Sequence, residues 1–188
     1  MNFEYYCLTD TGMVRDNNED SVALDTETHI AVLADGMGGY NAGEVASAMA
    51  TGTVSTALGT WLLAHQHKTS ARETGIAMRL SVERANQVIY QASLDNSEFT
   101  GMGTTLVVAV FAGARALVGH VGDSRVYRLR GGQLQRLTRD HSLLQEQLDA
   151  GTPEALVNVL YLAALADVRL LIFDPDAAVL DGLAIFDE

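Results

Sequence analysis

The sequence predicts an α+β layered sandwich built largely from antiparallel strands. Two apolar runs, at 106–111 and 116–121, are separated by only four residues, which suits a β-hairpin. A second hairpin is predicted at 126–129 and 133–137, around the Gly131-Gly132 pair. Two long helices are predicted in succession, with strands before and after the pair, so helices and strands do not alternate along the chain. This order favours an α+β sandwich over a doubly wound parallel sheet.

The helices are predicted from apolar periodicity and capping residues. The first covers about 43–65, where Asn41 and Glu44 have capping-box spacing, and the second begins near Ser70, where Glu73 repeats that signature. The remaining predicted elements are strands at 3–8 and 30–34 and a short helix that Ser142 opens and Gly151 ends.

Composition narrows the classes of function. The 188 residues have ordinary globular composition, with 48% hydrophobic and 19% charged residues, and suit one domain. A formal net charge of −12 argues against a nucleic-acid partner. The single cysteine, Cys7, excludes an internal disulfide framework and fits a reducing compartment. With no signal-peptide pattern and no apolar run of membrane-spanning length, we expect a cytoplasmic protein without a membrane partner.

Carboxylates cluster at three places. One cluster lies at 15–20, and the other two, Asp35-Gly36 and Asp123-Ser124, directly follow predicted strands. Oxygen ligands of this kind suit hard divalent cations, and a nearby arginine could fork onto phosphate. Each cluster alone has a simpler explanation. Asp-Gly is a common turn, Asp-Ser can form an Asx turn, and the acids at 15–20 could be a solvated loop.

The sequence lacks the residues required by two other kinds of phosphate-binding site. A cysteine phosphatase needs Cys-x5-Arg, whereas Met13 stands at that spacing from Cys7. A Walker loop needs Gly-Lys-Ser/Thr, and the only lysine is Lys68.

Five motifs in order make the chain resemble the metal-dependent Ser/Thr protein phosphatases (PPM, type 2C), particularly the compact bacterial ones. The resemblance covers residues 1 to about 151 and implies a four-layer α-β-β-α sandwich with two central antiparallel sheets. The motifs are Gly12–Asp20, Leu33–Gly39, Gly101–Thr105, Val121–Arg128 and Leu137–Ser142.

The resemblance also implies roles for individual residues. Asp35 would bridge two Mn²⁺ or Mg²⁺ ions, one of them also bound by the Gly36 carbonyl. Glu19 and Asp20 would contact the metal shell, largely through water. Arg15 matches the phosphate-binding arginine of the family. Asp123 matches the ligand of a third, weaker metal ion.

The sequence departs from the family pattern after Gly151. We therefore expect a phosphatase core over 1–151 and a divergent acidic segment of the same domain over 152–188, so that the C-terminal portion of the fold is incomplete. Asp181-Gly182 echoes a family Asp-Gly-Leu motif, which makes Asp181 a candidate metal ligand. A chance Asp-Gly in an acid-rich tail is the alternative.

Two functions stay open on these residues. The first is metal-dependent hydrolysis of phosphoserine and phosphothreonine on proteins, opposing a Ser/Thr kinase. The second is a weak or inactive relative that binds phosphoproteins as a regulatory module. A sheet edge exposed by the incomplete C-terminal portion would allow a dimer.

Overall fold

The computed structural model describes residues 3–38, 42–65 and 68–141, and it contains the predicted α+β fold with antiparallel sheets. The main sheet has the order β1-β2-β4-β5, with the short β3 pairing against the end of β2. A separate two-stranded ribbon is formed by β6 and β7. The strands are β1 Asp20–Asp25, β2 Ile30–Met37, β3 Gly103–Thr104, β4 Leu106–Ala112, β5 Arg115–Val121, β6 Tyr127–Arg130 and β7 Gln133–Arg136.

Two long helices, α1 Ala42–Ala64 and α2 Ala71–Asp95, stand between β2 and β3. The capping box predicted at Ser70 is confirmed, because Ser70 Oγ accepts from the Glu73 amide while the Glu73 carboxylate accepts from the Ser70 amide. The predicted box at Asn41 and the short helix predicted from Ser142 lie outside the described residues. None of the helices in the described residues is long and apolar enough to cross a membrane.

The core lies between α1, α2 and one face of the main sheet. Inward-facing β-branched residues of β2 and β4 meet small and medium-sized residues of both helices, as expected for alternating strand residues. The cluster includes Ile30, Val32, Ala34, Val54, Leu58, Ala77, Met78, Ala85, Val108 and Val110. At the start of α1, Ala42 and Ala46 belong to a second buried cluster, together with Met102.

The predicted hairpins are confirmed. Strands β4 and β5 pair in register from Leu106↔Val121 to Ala112↔Arg115. In the ribbon, Gly131 and Gly132 both have positive φ, +57° and +76°, which is the backbone that a two-residue hairpin turn demands.

The predicted strand at 3–8 is wrong, because this segment takes no regular secondary structure. Two of its aromatic residues, Phe3 and Tyr5, pack instead against Phe111 of β4 and against His29, which precedes β2. Phe3 lies 5.6 Å from Phe111 between ring centroids, and the Tyr5 hydroxyl lies 3.0 Å from His29 Nδ1. Aromatic residues are common in strands because their side chains pack well on a sheet. Here Phe3 and Tyr5 make such packing contacts from an irregular segment, so their presence does not indicate a strand.

Candidate metal and phosphate site

The pairing of β1 with β2 brings two predicted site residues together. Asp20 is the register partner of Asp35, and the Gly36 amide donates to the Glu19 carbonyl across 3.0 Å. One sequence expectation is corrected here, because Asp35 lies inside β2 and does not follow it. Asp20 is the first residue of β1, so the alternative that the acids at 15–20 form only a solvated loop does not hold for Asp20. The alternation of Val22 and Leu24 with smaller residues is the signal for this strand.

The Asp35 carboxylate carries the clearest electrostatic signature of the site. Its pKa is raised above the ordinary value, first by partial burial and then by the negative charges of Asp20 and Asp123. A hydrogen bond between the Asp20 and Asp35 side chains raises this pKa further, and the positive charge of Arg15 lowers it. Like charges held this close favour either a proton or a bound cation.

The loop before β1 carries Arg15 to the same place. Arg15 is 73% exposed at its side chain, and its Nη1 lies 3.4 Å from Glu19 Oε2. The Asn17 amide donates to the Glu44 carboxylate over 3.1 Å, which ties this loop to the first turn of α1. An exposed arginine anchored beside a carboxylate cluster can present its guanidinium to an incoming anion.

The start of α1 is seated closely on the site. A Cβ on Gly36 would lie 2.0 Å from the Gly43 carbonyl oxygen, and a Cβ on Gly43 would lie 2.6 Å from Glu19 Oε1. Only residues without side chains permit this approach. The close contact holds the Glu19 side chain and the Gly36 backbone against one another. Sequence reasoning missed Gly43, and a glycine in the first turn of a predicted helix was the available signal.

Two threonines anchor the Asp35 backbone from the other side. The Thr105 amide donates to the Asp35 carbonyl over 2.8 Å, and the Asp35 amide donates to Thr105 Oγ1 over 3.0 Å. The Thr104 hydroxyl also donates to the Asp35 carbonyl, over 2.9 Å. Asp35 is therefore fixed at both backbone polar groups. These threonines belong to the Gly101–Thr105 motif, which sequence reasoning singled out without giving them a role.

The donors fit a hard divalent cation in type, since they are carboxylates and a backbone carbonyl. Within residues 3–38, 42–65 and 68–141, no three Asp, Glu, His or Cys side chains gather closely enough to enclose a metal ion. The close pair is Asp20 and Asp35, while the charge of Asp123 acts on Asp35 through space.

Similarity to known proteins decides the family. Residues 11–159, well over half of the chain, match the family profile described as Protein phosphatase 2C. The chain belongs to the protein phosphatase 2C family. The predicted resemblance is thereby confirmed over the whole stretch that carries its five motifs.

Two named members of the protein phosphatase 2C family are similar to this chain in sequence over most of its length. The chain is 38% identical over 146 residues to the serine/threonine phosphatase stp of Listeria welshimeri, covering 76% of this chain and 56% of that protein. It is 39% identical over 156 residues to the protein phosphatase PhpP of Streptococcus pneumoniae, covering 80% and 61% respectively. The chain thus spans little more than half the length of these relatives.

The fold is also that of solved family members. The crystal structure of the catalytic domain of the serine/threonine phosphatase PstP in complex with two manganese ions superposes with a TM-score of 0.63 at 35% identity. The superposition covers 77% of this chain and 59% of that one. The α+β fold with antiparallel sheets is therefore that of the protein phosphatase 2C family. The prediction of a second helical layer concerns residues outside the described ones and stays a prediction.

The structure gathers most of the residues predicted for the site. Arg15, Glu19, Asp20, Asp35 and Gly36 form one contiguous cluster, and Asp123 lies within electrostatic reach of Asp35. Asp181 lies outside the described residues. The individual roles of these seven residues in binding metal and phosphate stay predictions.

Proposed function

We propose that this protein hydrolyses phosphoserine and phosphothreonine on proteins with the help of bound Mn²⁺ or Mg²⁺. The observation that carries the proposal is Asp35, which lies beside Asp20 and whose backbone is hydrogen-bonded at both its amide and its carbonyl. The pKa of its carboxyl group is raised first by partial burial and then by the charges of Asp20 and Asp123. A site that concentrates negative charge in this way gains most from a divalent cation. Family membership supplies the reaction class.

Each residue of the cluster has a proposed task. Asp35, with the Gly36 carbonyl, would hold two divalent ions, while Glu19 and Asp20 would orient the surrounding water. Asp123 would hold a third, weaker ion. Bound ions of this kind lower the pKa of water and offset the charge on phosphoryl oxygens. Asp181 is proposed as a further metal ligand.

Arg15 is proposed to bind the substrate phosphate. Its guanidinium is highly exposed and its Nη1 is 3.4 Å from Glu19 Oε2. The Arg15 guanidinium has five N–H donors, so its single contact with Glu19 leaves other donors able to bind a phosphate. Hydrogen bonds from arginine to phosphate are charge-assisted and directional. The Glu19 contact keeps the fork beside Asp35 without covering it.

The remaining proposals concern organisation and partners. We propose a phosphatase core over 1–151 with the acidic segment 152–188 as part of the same domain, acting in cytoplasmic signalling opposite a Ser/Thr kinase.

In the described residues β1 and β5 are the edges of the main sheet, and an edge strand can pair with a second copy. Analytical ultracentrifugation tests such a dimer, and a monomer at all concentrations would contradict it.

The activity is tested on the full chain with a phosphothreonine peptide. We expect phosphate release in Mn²⁺ that stops with EDTA, and loss of release in Asp35→Asn, which keeps the shape and removes the charge. Asp95→Asn is the matched control, because Asp95 is an exposed carboxylate at the end of α2 that accepts only from Gln91 among the contacts described.

The outcomes separate the two functions that the sequence leaves open. Turnover that survives EDTA, or that Asp35→Asn leaves intact, would refute the metal-dependent mechanism. Binding of the phosphopeptide without any turnover would favour the binding module. The relatives and the structure reported above are all named as phosphatases, which supports the enzyme.

A further inference from the structure

The turn that carries Asp123 is bonded to the strand that carries Asp35 through one side chain, that of Thr105. Ser124 Oγ lies 2.7 Å from Thr105 Oγ1. The same Thr105 oxygen accepts the Asp35 amide proton at 3.0 Å, and the Thr105 amide donates to the Asp35 carbonyl at 2.8 Å. A single hydroxyl therefore joins the residue after Asp123 to the backbone of Asp35.

The Thr105 hydroxyl can form both of these hydrogen bonds at once. A threonine hydroxyl has one proton to donate and two lone pairs that accept. One lone pair of Thr105 Oγ1 accepts the Asp35 amide proton. The bond to Ser124 uses either the Thr105 proton or its other lone pair. An alanine at position 124 would leave Thr105 bonded to Asp35 and remove only the link to the Asp123 turn.

The residue before Asp123 is pressed against the same threonine. Gly122 has φ +97°, and a Cβ there would lie 2.8 Å from Thr105 Cγ2 and 2.9 Å from Thr105 Cβ. Glycine is required both for the left-handed backbone and for the close approach. Both neighbours of Asp123 thus contact Thr105, one by packing and the other by a hydrogen bond.

We propose that Ser124 is a positioning residue that holds the Asp123 carboxylate at a set distance from Asp35 through the Thr105 hydroxyl. The inference rests on the proposed function, since it takes Asp35 and Asp123 to be metal ligands. Ser124 touches neither substrate nor metal in this proposal. Its effect is to keep the Asp123 turn from moving away from β2 when no ion holds the two carboxylates together.

The test is a calorimetric Mn²⁺ titration of the full chain and its variants. Asp123→Ala first identifies the binding phase that depends on Asp123. In Ser124→Ala we expect that phase to weaken about threefold to tenfold, the equivalent of one neutral hydrogen bond, with the other Mn²⁺ phase unchanged. Ser124→Thr keeps the hydroxyl and should restore the affinity.

A double-mutant cycle checks that Thr105 transmits the effect. Adding Ser124→Ala to Thr105→Val should cause little further loss, because the bond is already absent. Thr69→Val is the matched control: it breaks another pair of side-chain hydroxyls, Thr69 Oγ1 to Thr74 Oγ1 at 2.9 Å, outside the site. This control should leave both Mn²⁺ phases unchanged.

Distinct results would overturn distinct claims. If Ser124→Ala binds Mn²⁺ like the wild type, or weakens every phase equally together with a lower melting temperature, Ser124 does not position Asp123. If its effect adds fully to that of Thr105→Val, Thr105 does not transmit it. If the wild type binds no Mn²⁺ at all, the proposed function and this inference fall together.

Discussion

Replacing Gly36 by alanine should disrupt the junction between β2 and α1. The new Cβ would lie 2.0 Å from the Gly43 carbonyl oxygen and 2.8 Å from the Glu19 carbonyl oxygen. Both neighbours are backbone atoms, so no rotamer change relieves the overlap. The start of α1 would have to move by about 1 Å or more to restore ordinary contact.

The expected loss of stability follows from that movement. Overpacking of this kind costs about 1–3 kcal/mol, and weakening the 3.0 Å bond from the Gly36 amide to the Glu19 carbonyl adds about 1 kcal/mol. A total near 3 kcal/mol corresponds to a fall in melting temperature of about 10 °C for a chain of this length. Urea denaturation followed by circular dichroism measures the free energy of unfolding directly.

Gly52→Ala is the matched control for Gly36→Ala. Gly52 lies within α1, and a Cβ there would meet nothing within 4 Å. Alanine in an open helix interior should stabilise by about 0.5–1 kcal/mol. The same change of residue type should thus act in opposite directions at the two positions. Equal stability of the two variants, within about 1 kcal/mol, would refute the close contact of Gly36 with α1.

Three further predictions address charge. Arg15→Ala should raise KM more than it lowers kcat, by the equivalent of about 1.5–3 kcal/mol for a charged hydrogen bond, and a change confined to kcat would contradict its proposed task. The pKa of Asp25 is lowered, chiefly by its hydrogen bond from the Thr28 hydroxyl, so its contribution is present above about pH 4 and is lost as the pH falls through the folded-state value. Asp25→Asn should therefore cost about 1 kcal/mol at neutral pH in urea denaturation and nothing near pH 2, and a pH-independent difference would contradict this. Asp140→Asn should lower the melting temperature by freeing Arg125 and Arg136, and the difference should shrink in 1 M salt because exposed pairs are screened at about that concentration; a salt-independent difference would contradict it.

The hairpins and both long helices could be predicted because their signals are local. Gly131-Gly132 sets one turn, and Ser70 with Glu73 caps α2 through contacts three residues apart. The strand β1 escaped prediction because Glu19, just before it, and Asp20, its first residue, suggested a solvated loop. It pairs with β2 across the four-residue turn 26–29, which contains no glycine, asparagine or proline, so the usual local signal of a hairpin turn is missing.

The carboxylates of the site were visible in the sequence, whereas their supports were not. Asp35 and Asp123 carry chemistry that residue type alone suggests. Gly43 matters because a Cβ there would lie only 2.6 Å from Glu19 Oε1, and Thr105 matters because its amide donates to the Asp35 carbonyl over 2.8 Å. No spacing rule reveals such relations between distant parts of the chain. Residue identity therefore suggests the candidate metal ligands, whereas tertiary packing determines how these side chains are held.

The proposed metal site at Asp35 is tested most directly by crystals of the full chain grown with Mn²⁺. Anomalous diffraction at the manganese edge locates the ions without reference to activity. We expect peaks within coordinating distance of the Asp35 carboxylate and the Gly36 carbonyl, at about 2.0–2.3 Å, and their loss in Asp35→Asn. A map with no peak beside Asp35 in the wild type would contradict the account.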